Sequence, residues 1–322
     1  MGNCFGTLKK SAAGIAPSDY IKGLPVVRLH GPTTGIVTSY IRFALLHKPV
    51  SVQFIPTETN CETPVLRCGS DTISGSRETL LQYVETKFPE PPLVRRCGWL
   101  EEATPLVVTA TMLQHRSMMW HLERLVRWAE DLATRGGRAR GDPAMGSPRM
   151  EVKKFGRSYS QLLELMLEHA QMEERIVFPI LEKADRGLSR AANEEHARDL
   201  PIMNGIKEDI KSIGVLDSGS LAHHEALCNL SKRLKTLKDH CKEHFEEEEK
   251  GLLPLLEGAE LSREQQEKVL EQCWDSMQGT HSHLFHFFID GLIPQDAMHY
   301  LDLIIPSSNE DRVASMLRMI VQ

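Results

Sequence analysis

Four stretches in the second half of the chain carry apolar residues at the three- and four-residue spacing of an amphipathic helix. The apolar stripes run through residues 112–126, 162–180, 192–210 and 230–255. The pattern therefore predicts four helices whose apolar faces meet in one core.

The N-terminal part has a different pattern. Short β-branched runs predict strands at 25–31, 50–56 and 63–69, and a brief strand from Asp71 precedes a helix that ends at Phe88. A helical stripe occupies residues 35–47. The predicted element order, β-α-β-β-β-α, indicates a small α/β unit.

Proline, glycine and arginine divide these regions. The proline-rich segment 85–96 predicts a linker, and the Gly/Pro/Arg segment 135–150 predicts a disordered loop. Helical spacing after residue 262 predicts two or three further helices that pack on the bundle. The expected organisation is a flexible N-terminus at 1–24, an α/β domain at 25–93, a helical domain at 94–258 and C-terminal helices at 259–322.

Composition narrows the class of protein. A hydrophobic content of 41% excludes a wholly disordered chain, and a net charge of −6 lacks the basic excess of a nucleic-acid-binding protein. Apolar runs are too short for a membrane-spanning helix, and the first ten residues do not form a secretory leader. Seven cysteines without a C-x-x-C pair favour a reducing compartment over a disulfide framework or a zinc ribbon. We expect a cytoplasmic protein.

The first ten residues, MGNCFGTLKK, leave two interpretations open. Gly2 is the acceptor position for N-myristoylation and Cys4 could be palmitoylated, which would attach the protein to the cytoplasmic face of a membrane. Gly6 stands where the myristoylation pattern prefers a hydroxyl residue. The alternative is an ordinary flexible terminus.

Histidines interrupt all four apolar stripes, and glutamates interrupt two of them. The interrupting residues are His115, His169, Glu173, His196, His244 and Glu248. A buried carboxylate costs several kcal/mol unless its charge is compensated. Histidines and glutamates that face one bundle interior compensate each other best by binding metal ions.

The second and fourth helical stretches repeat one motif, H-x3-E-E-x4-P, at 169–179 and 244–254. Positions i and i+4 share one face of a helix, so the histidine and the first glutamate of each repeat can reach the same metal or two adjacent metals. The proline is expected to end or kink each helix after these residues.

These repeats, the stretch from His115 to Leu125 and the sequence Glu194-Glu195-His196 resemble the hemerythrin-like, HHE-type cation-binding domain over roughly residues 100–258. The resemblance implies an all-α antiparallel four-helix bundle around a non-haem di-iron centre. The ligands that it implies are His115, His169, Glu173, His196, His244 and Glu248. Zinc or manganese also suits mixed imidazole and carboxylate ligands. Oxygen carriers of the family use more histidines, so the resemblance favours iron binding or sensing.

Other histidines and glutamates lie near these motifs and are alternatives to the six ligands or have other roles. His121 competes with His115 but lies on a different helical face, and His240 is an alternate ligand or a donor to one. Packing is the better interpretation of His281, His283 and His286, given their phenylalanine neighbours. The glutamates adjoining the repeats are expected to form a solvated acidic face: Glu174, Glu246, Glu247 and Glu249.

The α/β unit resembles the thioredoxin-like N-terminal domain of glutathione transferases over about 65 residues. Thr63-Pro64 looks like that family's strand start with a cis-proline, and Ser76 looks like its serine that holds the γ-glutamyl group. Gly35 stands where the catalytic Ser, Tyr or Cys is expected, although the nearby hydroxyls could serve under another alignment: Thr33, Thr34, Thr38 and Ser39. We assign no catalytic residue, and a transferase-like fold without transferase activity is favoured.

The leading function is the binding of a di-iron or other divalent-cation centre for iron, oxygen or redox sensing, or for iron handling. One alternative is a glutathione-dependent transferase or reductase that uses Pro64 and Ser76. Another is an interaction scaffold whose bundle binds zinc or no metal. Metal ions are the expected partners, with an unidentified protein partner and no nucleic acid.

Overall fold

The computed structural model of the chain describes four segments: residues 23–57, 63–94, 104–135 and 147–321. None of the helices in these segments has the length and apolar character needed to cross a membrane. The candidate acylation sites Gly2 and Cys4 lie outside the described residues, as does most of the predicted loop at 135–150.

The N-terminal unit follows the predicted element order. Its elements are β1 (Val26–Gly31), α1 (Ile36–Leu46), β2 (Ser51–Pro56), β3 (Val65–Cys68), β4 (Asp71–Ser74) and α2 (Arg77–Lys87). The strands form one mixed sheet in the order β2-β1-β3-β4, with β1 parallel to β2 and antiparallel to β3. Alternate residues of β1, Val27 and Leu29, are buried, as expected for a strand with one face in a core.

The segment after α2 is held by a buried cation. The Lys48 amine donates hydrogen bonds to Glu85 Oε1 at 2.5 Å and to the carbonyl of Pro91 at 2.6 Å. Glu85 also accepts from the backbone N–H of Leu93. The described part of the predicted 85–96 linker is therefore fixed against the α/β unit. Its cis peptide bond is Glu90–Pro91, and the expected cis bond at Pro64 is not formed.

Four long helices form the bundle: α3 (Leu106–Thr134), α4 (Pro148–Met172), α6 (Arg190–Val215) and α7 (Leu221–Glu247). Helix α3 packs on α4 and α7, and α6 closes the arrangement by packing on the same two helices. A π-helical turn, Glu173–Val177, and the short α5 (Phe178–Ala184) follow α4. A second π-helical turn, Glu248–Leu252, and a 3₁₀ helix, Leu253–Ala259, follow α7.

Two residues of the predicted apolar stripes are exposed. Leu255 is exposed because the π-helical turn before it shifts the helical period, so that Leu253 and Leu256 are buried instead. Leu200 is exposed because it lines a cavity that opens between α4 and α6.

The chain after residue 262, described through residue 321, forms four helices instead of the two or three expected. They are α8 (Arg263–Ser276), α9 (Phe285–Asp290), α10 (Pro294–Ser307) and α11 (Glu310–Val321). Helices α8, α9 and α10 pack on α3, whereas α11 packs on α1 of the α/β unit. The Tyr40 hydroxyl donates to Asp302 at 2.9 Å, and Arg77 lies 3.3 Å from the same carboxylate. The C-terminal helices thus contact both units, not the bundle alone.

Candidate metal centre

The six residues that the sequence singles out meet in the interior of the bundle. They form two groups of four, and the candidate ligand atoms within each group lie within 4.8 Å of one another. Position A, as we name it, consists of His115, His169, Glu173 and Glu248. Position B consists of Glu173, His196, His244 and Glu248. The two positions share both glutamates, which is the arrangement expected of carboxylates that bridge two cations.

Helical geometry brings each repeat's histidine and glutamate together. Nε2 of His169 lies 3.3 Å from Glu173 Oε2, and Nε2 of His244 lies 3.6 Å from Glu248 Oε2. Each of these glutamates is the first residue of a π-helical turn. The proline of each repeat is the second residue of the helix that follows the turn, so it does not end the helical path of the chain. Single π-helical turns within helices are frequent at functional sites.

Each π-helical turn replaces the usual four-residue backbone hydrogen bond with a five-residue one that ends at the glutamate. The N–H groups of Phe178 and Leu253 donate five residues back, to the carbonyls of Glu173 and Glu248. Pro179 and Pro254, which come next, have no N–H to donate. The proline of each repeat thus suits the position after a π-helical turn.

Every histidine of the site is held by an oxygen on its outer nitrogen. Nδ1 of His115 lies 2.9 Å from Glu249 Oε1, and Nδ1 of His196 lies 3.0 Å from Glu174 Oε1. The two repeat histidines have partners on neighbouring helices: Gln114 Oε1 lies 2.8 Å from Nδ1 of His169, and Glu195 Oε2 lies 2.6 Å from Nδ1 of His244.

Because these oxygens accept, each Nδ1 carries the proton and each inward Nε2 of a neutral ring has a free lone pair. Metal-ligating histidines are oriented by such bonds in general. Glu174 is exposed, as expected of a solvated acidic face, and Glu249 is only partly exposed, but both also accept hydrogen bonds from histidines of the site.

Several polar atoms at the centre of the site have no hydrogen-bond partner. They are both carboxylate oxygens of Glu173, both of Glu248, and Nε2 of His244. Glu173 is fully buried and Glu248 nearly so. Buried polar atoms are almost always paired, so a cluster of unpaired acceptors needs a missing counterpart. All of these atoms are good ligands for a hard or borderline cation, so the residues present fit a metal centre.

Protons compensate part of the charge in the metal-free fold. Burial disfavours charge on His115, but the nearby carboxylates of Glu173, Glu249 and Glu248 outweigh burial and raise the pKa of His115 to about 9. Burial also disfavours charge on His196, but Glu173 and Glu174 outweigh burial and raise the pKa of His196 to about 9. The result is a pair of histidines that are cationic at neutral pH.

The two shared glutamates titrate in opposite directions. Burial, reinforced by the neighbouring Glu173, raises the pKa of Glu248 to about 8. Burial opposes ionisation of Glu173 too, but the surrounding histidines hold its pKa well below the usual range. Burial also lowers the pKa of His169, and it lowers that of His244 to about 4. The site therefore holds an ionised and a protonated carboxyl side by side.

The remaining histidines lie outside both positions. Nε2 of His121 donates to the carbonyl of Phe287 at 2.7 Å, and His240 lies 3.2 Å from Asp199. His281 is buried and hydrogen-bonded to Met277 and Tyr300, whereas His283 and His286 are exposed. The packing interpretation is confirmed for His281 and wrong for His283 and His286, which lie at the surface beside Glu164 and Asp290.

A cavity of about 410 Å³ adjoins the site between α4, α6 and α7. Its wall is mainly apolar and includes three methionines, while His169, His196 and His244 reach it from the centre. The side chain of His196 is 11% exposed, against 2% for His115. The cavity therefore gives small molecules and ions a path to the site.

Sequence reasoning missed Gln114 and Glu195 as parts of the site. Each precedes a histidine of the site, at Gln114-His115 and Glu195-His196. A signal was available, because the residue before a helical histidine lies beside the same interior. The neighbouring helix that it reaches depends on packing, which one sequence does not provide.

Among the candidate glutathione-site residues of the α/β unit, Ser76 has a structural role. Ser76 is the N-cap of α2, and its hydroxyl accepts from the N–H of Thr79. Thr38 is buried, and its hydroxyl would lie 2.5 Å from a Cβ placed on Gly31. Gly35 carries no reactive group and precedes α1 as its N-cap.

Comparison with known proteins agrees with the geometry. The family model of the hemerythrin HHE cation binding domain matches residues 106–285. The match covers the four bundle helices and both positions, and it extends past residue 258 into the C-terminal helices. No curated protein matches the chain.

Proposed function

Because the chain belongs to the hemerythrin HHE cation-binding family, which its match over more than half of the sequence shows, we propose that it binds two iron ions, one at each position. The shared carboxylates of Glu173 and Glu248 carry the proposal, since they are buried, adjacent and without hydrogen-bond partners. Iron at such a site supplies reversible electron transfer and oxygen binding. The protein's own residues hold the ions, orient the ligand atoms and release the protons that binding displaces.

Those residues would hold the ions through four nitrogens and two carboxylates. His115 and His169 serve position A, His196 and His244 serve position B, and the glutamates serve both. The Nδ1 hydrogen bonds keep each Nε2 directed inward. Loading requires protons to leave His115, His196 and Glu248, because ligands bind metal in their deprotonated forms.

Iron or redox sensing fits this arrangement better than storage. The site is one closed cluster in a bundle, and the adjoining cavity admits a small molecule to it. The C-terminal helices pack on α3, which carries His115, so a change at the site can reach the surface that a partner would contact. Zinc or manganese is the alternative occupant, since mixed imidazole and carboxylate ligands suit both.

The experiment is metal analysis of the purified full-length protein with an ultraviolet–visible spectrum, prepared without oxygen and then exposed to air. Iron at about two ions per chain and new absorption on exposure to air support the proposal. Stoichiometric zinc without a spectral change supports the scaffold alternative. A protein that takes up no Fe(II) contradicts the proposal.

For the α/β unit, we propose a fold like the glutathione-transferase N-terminal domain that does not catalyse transfer. Its element order and its sheet order support the likeness. Gly35 stands at the aligned nucleophile position and Thr38 and Ser39 are buried, so of the alternative hydroxyls only those of Thr33 and Thr34 are exposed. Retention on immobilised glutathione and turnover of a generic thiol acceptor test this. Conjugating activity that is lost in Ser76→Ala would overturn it.

A further inference from the structure

The two metal positions are built as near copies of each other. In each half, one helix supplies a histidine preceded by an oxygen-bearing residue, and another supplies the H-x3-E-E motif. The corresponding pairs are His115 and His196, Gln114 and Glu195, His169 and His244, Glu173 and Glu248, and Glu174 and Glu249. The hydrogen bonds to all four Nδ1 atoms follow the same correspondence.

One pair breaks the correspondence in charge. Gln114 holds His169 with a neutral amide oxygen, whereas Glu195 holds His244 with a carboxylate. Position A therefore has one outer carboxylate, Glu249, and position B has two. A carboxylate on the outer nitrogen makes an imidazole a stronger donor and adds negative charge near the cation.

The C-terminal helices fix the orientation of Gln114. Nδ1 of His281 lies 2.8 Å from the carbonyl of Met277, which can only accept, so Nδ1 carries the ring's proton. Nε2 of His281 then accepts from the Tyr300 hydroxyl at 2.9 Å. The Tyr300 oxygen is left to accept from the Gln114 amide nitrogen at 3.5 Å. The oxygen of Gln114 consequently faces His169.

The two positions also differ in how deeply they are buried. The side chains of position A are the more deeply enclosed, and the His115 ring stacks on Phe245 with centroids 4.1 Å apart. Position B lies nearer the cavity, which both of its histidines line. Position A reaches the cavity through His169 alone, so a cation in the cavity is beside more of the histidines of position B.

We propose that the two positions are unequal: position B binds a divalent cation more tightly and fills first, and position A fills second. Gln114, oriented by Tyr300 and His281, is the positioning residue that sets the difference. The inference rests on the proposed function, namely that the site holds two cations.

An anaerobic titration of the full-length protein with Co(II), followed by visible absorption and ion stoichiometry, measures the two steps. Two binding steps alone do not show that the positions differ, because repulsion between two cations separates the steps even in a symmetric site. Exchanges between Glu and Gln, which are nearly isosteric, therefore test the difference. Glu195→Gln should weaken the first step about 10- to 100-fold, and Gln114→Glu should strengthen the second by at least about 10-fold. A first step unchanged in Glu195→Gln would overturn the proposal.

Single-position variants identify the order directly. His115→Ala removes a ligand of position A, and His196→Ala removes a ligand of position B. His115→Ala should retain one Co(II) with nearly the wild-type first affinity, while His196→Ala should bind more weakly by at least about 10-fold. Equal affinities, or tighter binding by His196→Ala, contradict the order while leaving the metal centre intact. A wild-type protein that binds no Co(II) contradicts the metal centre itself.

Discussion

Glu249 accepts a 2.9 Å hydrogen bond from Nδ1 of His115, which lies 134 positions earlier in the chain. The bond joins the π-helical turn after α7 to α3 across the bundle. It also fixes the tautomer of His115, so that Nε2 points to the shared glutamates, 3.5 Å from Glu248. One residue thus links helix packing to ligand chemistry.

Glu249→Ala should lower metal affinity by about 10- to 100-fold, because His115 loses the partner that orients its ring. The fold should persist, since Glu249 is partly exposed. Competition with a coloured chelator measures the affinity. Glu247→Ala, at an exposed neighbouring position, is the matched control and should bind metal normally. Equal affinities for the two variants would show that the hydrogen bond does not act on the metal.

His169→Ala combined with His244→Ala should release the metal and lower the melting temperature. Each change removes a nitrogen from a site where Glu173 and Glu248 stay buried. Metal that binds only the folded state adds roughly 3 kcal/mol at a concentration one hundred times its dissociation constant. Metal analysis and thermal unfolding with and without chelator provide the measurement.

The control for that pair is His283→Ala, since His283 is exposed and outside both positions. Its metal content and its chelator-dependent loss of melting temperature should equal those of wild type. If the double variant kept its metal, the ligand assignment would be wrong.

Acid should weaken the fold through His121. Burial, helped by Arg124, lowers the pKa of His121 to about 3, against about 6.5 in an unfolded chain. Between these values the unfolded state binds more protons, so stability is full above pH 6.5 and falls as pH drops toward 3. The loss is about 1.4 kcal/mol per pH unit.

The test compares wild type with His121→Gln, both metal-free, by denaturant unfolding at pH 7.5 and 5.5. Wild type should lose roughly 1.4 kcal/mol more than the variant over this interval, because His121 titrates only in wild type. The metal ligands titrate in both proteins and cancel. An identical pH dependence of the two proteins would show that His121 is not buried in its neutral form.

Gly291→Ala should destabilise the contact between α3 and the C-terminal helices. A Cβ on Gly291 would lie 2.5 Å from Ser117 Oγ and 2.9 Å from His121 Cδ2. Overpacking of this kind costs about 1–3 kcal/mol. Gly214→Ala, in α6 with nothing within 4 Å, should be neutral or stabilising by up to about 1 kcal/mol. Urea unfolding of both variants checks the difference, and equal stabilities would contradict the packing.

The sequence was sufficient to predict the four long bundle helices and the six inner residues of the candidate site. Apolar periodicity identified α3, α4, α6 and α7, and the interrupting histidines and glutamates identified the groups that now lie within 4.8 Å. Both signals are local, because residues at i and i+4 share a face whatever the fold. The element order of the α/β unit was predictable from equally local patterns, whereas its strand order, β2-β1-β3-β4, was not predicted.

The outer partners and the helical irregularities were not predictable. A π-helical turn adds a residue to the helical period, which exposes Leu255 and buries Leu253. Whether Glu174 and Glu249 face solvent or a histidine depends on which helices are neighbours. The packing of α11 on α1 likewise joins residues that no local pattern connects.

The most direct test of the metal centre is the number of Fe(II) ions that the metal-free protein binds anaerobically. Wild type should bind about two per chain, and the variant with His169→Ala and His244→Ala should bind none tightly. Wild-type protein that binds no Fe(II) and melts at the same temperature with and without chelator would contradict the assignment of Glu173 and Glu248 as shared metal ligands.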